Sequence, residues 1–163
     1  MKSLINIAVI IALVFAFTGC NKPENKQVAN TKLAIIPEPE TVKLTSGNFS
    51  INKNTTVYCN NESLLPVANY FNKKVSDALG FNLKIVVGEG DGINLILSDD
   101  SDNILGNEGY KLNVTKKSIA IIANKANGVF YGLQTLRKML PPQIKSKTLQ
   151  FDIKWSVPCA EIQ

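Results

Sequence analysis

Residues 126–141 read ANGVFYGLQTLRKMLP, and this segment has the clearest structural pattern in the chain. Its apolar residues recur at three- and four-residue steps, which is typical of a helix with one buried face. Proline cannot continue a helix, so the pattern predicts a helix from about Ala126 to Leu140, ending before Pro141. The apolar arc covers close to half of the circumference, and such a helix usually has neighbours on more than one flank. The clearly polar side is limited to Asn127, Gln134, Thr135 and Lys138.

An earlier stretch predicts a second helix, from about Leu64 to Leu79, with apolar residues on one face. Ser63 is predicted to cap its N-terminus, and Pro66 fits its first turn. Gly80 suits the left-handed residue that commonly ends a helix.

Between and around the helices, short runs rich in Val, Ile, Thr and aromatic residues are separated by Gly, Asn and Asp, as in a sheet. The predicted strands are Thr41–Leu44, Phe49–Ile51, Thr55–Cys59, Leu83–Val87, Ile93–Leu97, Tyr110–Thr115, Ser118–Ala123 and Leu149–Trp155. Lys116 and Lys117 are predicted to form a two-residue turn, which makes an antiparallel hairpin. The sequence therefore predicts a strand-rich α+β layer structure.

The first nineteen residues have the pattern of an export signal. Lys2 supplies a positive charge, and the apolar run from Leu4 to Phe17 is shorter than the roughly 20 residues that cross a bilayer as a helix. The following segment, Phe17-Thr18-Gly19-Cys20, resembles the lipobox of bacterial lipoproteins. We therefore predict a signal peptide over residues 1–19 and lipid attachment at Cys20; an ordinary cleaved signal is the alternative. Lipidation would place the protein on a bacterial membrane, at the periplasmic or surface face of the outer membrane.

Residues 21–32 are polar and lack large apolar side chains, so residues 20–34 are predicted to form a flexible, disordered tether. The formal charge of +5 is spread along the chain without a basic run, which argues against nucleic-acid binding. The sequence contains no histidine, the commonest general base and metal ligand. Its cysteines lack the paired spacing of a zinc site, and no cofactor is predicted. In an oxidising compartment Cys59 and Cys159 could pair, although two separate buried thiols are the preferred interpretation.

Three segments together resemble a known family. Residues 36–39 read IPEP, residues 108–112 read EGYKL, and the helix of residues 126–141 follows at the expected distance. They resemble the N-terminal domain of glycoside hydrolase family 20, the β-N-acetylhexosaminidases, over about residues 35–158. The resemblance implies a mostly antiparallel sheet with two roughly parallel helices packed on one face. It also implies structural roles for the motif residues, which are Glu108, Gly109, Tyr110, Gly128, Phe130, Tyr131, Gly132, Gln134, Thr135 and Leu136.

In that family the helices lie between the sheet and a catalytic (β/α)8 barrel, which the resemblance implies as the partner of this domain. Residues 159–163 are similar to the start of the linker to the barrel. The parent enzymes remove terminal N-acetylhexosamine from glycans by a substrate-assisted retaining mechanism, outside the usual two-carboxylate scheme. Their adjacent Asp-Glu pair does not occur in this sequence. We therefore assign no catalytic residue here and expect a fragment without the barrel that is inactive alone, the glycan being a substrate of the parent only.

Other candidate sites have simpler interpretations. The acidic stretch of residues 99–103 could suggest a calcium loop, but Lys111 stands where a terminal acid would be required, so a solvated turn is preferred. The glycines of residues 88–92 lack the Lys-Ser/Thr of a phosphate loop, which favours a turn. Tyr131 could stack on a sugar, although packing is preferred. Two alternative functions stay open: a stand-alone lipid-anchored domain that binds a glycan or a partner, or the N-domain of another glycoside hydrolase.

Overall fold

The computed structural model describes residues 33, 35, 38–98 and 105–163. The predicted signal peptide, Cys20 and nearly all of the tether lie outside the described residues. The elements, in chain order, are β1 (Val42–Ser50), β2 (Thr56–Cys59), α1 (Leu65–Leu79), β3 (Lys84–Val87), β4 (Ile93–Leu97), β5 (Lys111–Val114), β6 (Ile119–Ala123), α2 (Ala126–Met139) and β7 (Ser156–Ile162). Short 3-10 turns at Glu62–Leu64 and Pro142–Lys145 precede α1 and follow α2.

The strands of the described residues form one sheet of seven, in the order β1-β7-β5-β6-β4-β2-β3. Strands β1, β7, β5 and β6 pair antiparallel, and the predicted hairpin is confirmed with Val114 opposite Ile119. Strands β6, β4, β2 and β3 pair parallel. A helix between parallel neighbours is the usual crossover, and α1 joins β2 to β3 in this way. The α+β class with two helices is confirmed.

Both helices lie on the same face of the sheet, as the distance of 5.5 Å between the ring centres of Tyr70 in α1 and Phe130 in α2 indicates. The strands that precede the helices, β2 and β6, both run parallel to β4. Each helix returns against the direction of its strand, so the two helices are roughly parallel. Alternate residues of β4 and β6 point toward them, and Ile93, Leu95 and Ile121 are fully buried.

Helix α1 begins one residue later than predicted, and its cap is different. The amide of Ser63 donates to the Asn61 side chain, so Asn61 caps the preceding 3-10 turn and the predicted capping role of Ser63 is wrong. Ser63 lies within the 3-10 turn, and the N-cap position of α1 is Leu64, where no side chain makes a capping hydrogen bond. Gly80 ends the helix at φ 78° with its amide bonded to the carbonyl of Ser76, as predicted.

The N-terminal strand is continuous where two strands were predicted. A bulge between Leu44 and Asn48 keeps both halves of β1 paired with β7, and Gly47 lies in this irregular segment at φ 111°. Glycine is favoured there because other residues are strained at such a φ. The residues that interrupt the apolar pattern therefore form a bulge in the strand.

The last predicted strand, residues 149–155, is wrong. The alternation there fits a strand, but no neighbouring strand pairs with this segment within the described residues, and it passes the end of α1, where the Gln150 amide donates to the Ala78 carbonyl. The strand β7 comes after it and extends to Ile162, between β1 and β5. Residues 159–162, assigned to the linker, thus belong to the sheet, because pairing on both sides satisfies their backbone.

Within the described ranges, no helix combines the length and apolarity needed to cross a bilayer.

Candidate functional site on the helical layer

The two motif segments found in the sequence meet in the structure. The hydroxyl oxygens of Tyr110 and Thr135 are 2.6 Å apart, which joins the segment before β5 to the middle of α2. Thr135 is buried, so its assignment to the polar side of the helix is wrong. The hydrogen bond explains this difference, because it satisfies the polar group that burial removes from water.

Glycines let the helix approach the sheet closely. A Cβ atom at Gly128 would overlap the carbonyl oxygen of Gly109, and one at Gly132 would overlap a methyl group of Ile121. With Thr135, these glycines form one stripe at helical spacing. A Cβ atom at Gly109 itself would overlap the carbonyl of Leu105. The close contact of α2 with the sheet therefore depends on the absence of side chains at these positions.

The remaining motif residues lie at different depths. Leu136 is fully buried in the core, Gln134 is half-buried, and Glu108 is exposed in the turn before β5. Phe130 is half-buried and Tyr131 is exposed, on the side of α2 that faces away from the sheet.

An aromatic cluster, formed by Tyr70, Phe130 and Tyr131, lies on this outer surface. The Phe130 ring is 5.5 Å from that of Tyr70 and 5.6 Å from that of Tyr131, the latter at an interplanar angle of 72°. Tyr70 is 41% exposed and Tyr131 42% exposed. The ammonium group of Lys74 lies 5.2 Å from the centre of the Tyr70 ring, a cation–π contact. Partly exposed, adjoining aromatic rings of this kind are typical of protein interfaces.

Most of the broad apolar arc of α2 is covered within the domain itself. Val129, Leu133, Leu136, Met139 and Leu140 are all buried in the core. The breadth of the arc predicted neighbours on more than one flank, and for these five side chains the domain itself provides them. The sheet and α1 provide the neighbours that the sequence could not identify.

The metal and phosphate alternatives gain no support from the geometry. Among the described residues, no group of three His, Cys, Asp or Glu side chains is placed to hold a metal ion. The acidic stretch of residues 99–103 lies outside the described residues. Residues 88–92 form a turn that leads into β4, a strand and not a helix.

The thiols of Cys59 and Cys159 are both free and buried, which confirms two separate cysteines. Burial raises the pKa of the Cys59 thiol because desolvation disfavours the thiolate. A buried, protonated thiol is a poor nucleophile. Cys59 is therefore a core residue, in the second strand of the parallel part of the sheet.

A shallow groove of about 240 Å³ lies at one end of the sheet and is lined mainly by polar residues, with Asp91, Lys116 and Lys117 among them. Asn52 and Thr55, which also line it, are engaged in their own loop, where the Asn52 amide donates to the Thr55 hydroxyl. The polar groups of this loop thus stabilise a turn, and the aromatic cluster remains the candidate functional surface.

Comparison with known proteins identifies the class. The sequence profile of glycosyl hydrolase family 20, domain 2, matches residues 32–163. The chain belongs to this family.

Among its relatives is a β-hexosaminidase of Porphyromonas gingivalis, 30% identical over 166 residues, which covers all of this chain and 21% of that protein. The fold is similar to that of the family 20 β-N-acetylhexosaminidase of Streptomyces coelicolor A3(2), with a TM-score of 0.71 and 29% identity over 78% of this chain and 25% of the other. The N-acetyl-β-hexosaminidase of Streptomyces plicatus is 31% identical with a TM-score of 0.70, at the same coverage. The chain thus spans about a fifth to a quarter of these relatives.

Proposed function

We propose that residues 33–163 form a non-catalytic N-terminal domain of a β-N-acetylhexosaminidase, which supports a catalytic (β/α)8 barrel through its helical layer. The observation that carries this proposal is the aromatic cluster of Tyr70, Phe130 and Tyr131, which stays partly exposed on a layer whose other large apolar residues are mostly buried. Relatives four to five times longer than the matched segment support a further module as its partner.

In the proposed enzyme, the chemistry belongs to the barrel. The sugar's own acetamido oxygen attacks the anomeric carbon, one carboxylate orients the acetamide, and a second carboxyl group protonates the leaving oxygen. This chain contributes no carboxylate to that reaction. Its role is mechanical: it covers the barrel and stabilises it through the buried area of their contact.

A hydrolysis assay tests this proposal. We expect residues 33–163 alone to show no turnover of a chromogenic N-acetyl-β-glucosaminide. Grafted in place of the matching segment of the Porphyromonas gingivalis enzyme, the same residues should restore a folded, active protein. Turnover by the isolated residues, or an unfolded and inactive graft, would refute the proposal.

We further propose that the protein is exported and lipid-anchored at Cys20. The lipobox-like segment before this cysteine supports the proposal, as does the polar composition of the residues after it. Metabolic labelling with a radioactive fatty acid in a bacterial host should mark the wild-type chain and leave the Cys20→Ser variant unlabelled. Equal labelling of the two would reject lipidation at this position.

Direct glycan binding is a second candidate, because the exposed rings of Tyr70 and Tyr131 could stack on a sugar face. It predicts saturable binding of N-acetylglucosamine oligomers by residues 33–163, and loss of that binding in Tyr131→Ser. The absence of saturable binding would leave the docking role as the function of this surface.

A further inference from the structure

The charge of the domain is concentrated on one side. The helical layer, defined as residues 65–80 and 125–147, carries seven basic side chains and one acidic side chain, a formal charge of +6. The other described residues carry eight acidic and seven basic side chains, a charge of −1. The positive charge of this domain therefore belongs to the layer that also carries the aromatic cluster.

Two basic groups of α1 lie on the side of the helix that carries Tyr70 of the aromatic cluster. Lys73 and Lys74 are exposed on α1, on the same side as Tyr70, and Arg137 and Lys138 lie near the end of α2. Lys74 contacts the Tyr70 ring directly. Protein interfaces usually have aromatic groups at the centre and polar groups at the rim.

We propose that the surface which covers this layer is acidic, and that it belongs to the catalytic module of the same polypeptide. This inference rests on the proposed function and specifies the chemistry of the partner. Complementary charges across a rim favour one docking geometry and suppress others. A second copy of this domain, facing it through the same layer, would bring two positive surfaces together.

Covalent linkage favours the catalytic module over other acidic partners. A module on the same chain is present at an effective concentration of the order of millimolar, so a modest electrostatic contribution is enough to hold it in place. Exposed charges are screened over about 10 Å at 0.1 M salt, so the contribution of the rim should weaken as the salt concentration rises.

The experiment uses the graft of residues 33–163 into the Porphyromonas gingivalis enzyme. The test variant, Lys73→Glu/Lys74→Glu, reverses two charges of the helical layer. The control variant, Lys53→Glu/Lys117→Glu, makes the same change of net charge at exposed positions in two turns of the sheet. Thermal unfolding of each protein is followed at about 20 mM and about 0.5 M salt.

We expect the test variant to unfold about 2–4 °C below the control at low salt, with most of the difference lost at high salt. If the unsubstituted graft is folded and active but the two variants unfold at the same temperature, the acidic partner surface is refuted and the proposed function stands. If the unsubstituted graft is unfolded and inactive, both fail together.

Vesicles test the main alternative, an anionic lipid surface. Residues 33–163 are mixed with vesicles of phosphatidylglycerol and phosphatidylcholine in a sedimentation assay. We expect no binding that depends on Lys73 and Lys74. Binding that the test variant loses and the control retains would overturn the inference, because it would identify anionic headgroups as the occupant.

Discussion

The hydroxyl oxygens of Tyr110 and Thr135 lie 2.6 Å apart and connect the sheet to the centre of α2. Tyr110 comes directly before β5, so this hydrogen bond fixes the helix relative to the antiparallel half of the sheet. The glycines on the same stripe of α2 bring the backbones close enough for the two side chains to meet. The spacing of Gly128, Gly132 and Thr135 along α2 therefore has a direct geometric cause.

Removing this hydrogen bond should destabilise the domain. Thr135→Val keeps the shape of the side chain but leaves the Tyr110 hydroxyl without this partner, and we expect a loss of about 1–2 kcal/mol in the free energy of unfolding. Urea denaturation of residues 33–163 measures the change. Tyr110→Phe should cost a similar amount.

The double variant Tyr110→Phe/Thr135→Val tests whether the two hydroxyl groups act together. Its loss should be smaller than the sum of the single losses by at least about 0.5 kcal/mol. Tyr131→Phe, which removes an exposed hydroxyl of α2, is the control and should change stability little. Additive single effects would contradict a direct interaction.

Gly128→Ala should also destabilise the domain, although alanine is the better helix former by about 1 kcal/mol. The new Cβ would overlap the Gly109 carbonyl oxygen and lie 2.7 Å from the Ala123 Cβ, so the helix must move away from the sheet. We expect a net loss of about 1–3 kcal/mol by urea denaturation. Asn127→Ala, at the adjacent exposed position, is the matched control. Stabilisation by Gly128→Ala would show that the close contact is not required.

The exposed aromatic cluster should bind hydrophobic dyes. We expect residues 33–163 to enhance the fluorescence of an anilinonaphthalene sulfonate dye, and Tyr70→Ser/Tyr131→Ser to reduce it, since the variant removes two of the three rings of the cluster. Phe151→Ser is the control, because Phe151 is 76% exposed but lies on a loop outside the cluster. Equal loss in the two variants would mean that the dye detects any exposed ring.

The raised pKa of Cys59 predicts how the stability of the domain changes with pH. Burial raises this pKa, so the folded state favours the protonated thiol. The contribution to stability is fully present below the ordinary thiol pKa and is lost as pH rises through the raised value. Between pH 7 and pH 10, the wild-type domain should therefore lose more stability than the Cys59→Ala variant, because the two proteins share all other titrating groups. Urea denaturation at each pH measures the loss. An equal loss in both would exclude this thiol as a contributor.

Local patterns gave most of the secondary structure correctly. The spacing of apolar residues in α2 and the proline after it predicted that helix to within one residue of its end. Gly80 ends α1 as expected, and the turn at Lys116 and Lys117 makes the predicted hairpin. These features depend on a few neighbouring residues, so the sequence contains all the information that they require.

The errors arose where a distant partner decides the outcome. Thr135 looked like a surface residue because its partner, Tyr110, is 25 positions away. Residues 149–155 alternate like a strand, yet they pass the end of α1, and the next segment takes the place between β1 and β5. Alternation identifies a segment that could pair, but it cannot identify its neighbour.

The class of the fold, both helices, the hairpin and the family resemblance could be inferred from the amino-acid sequence, because they follow from local propensity and from short motifs. The strand order, with its parallel half, and the exposure of Tyr70, Phe130 and Tyr131 beside one another depend on how the elements pack together. Which apolar side chains are buried depends on elements far apart in the chain, and their packing cannot be inferred from one helix alone.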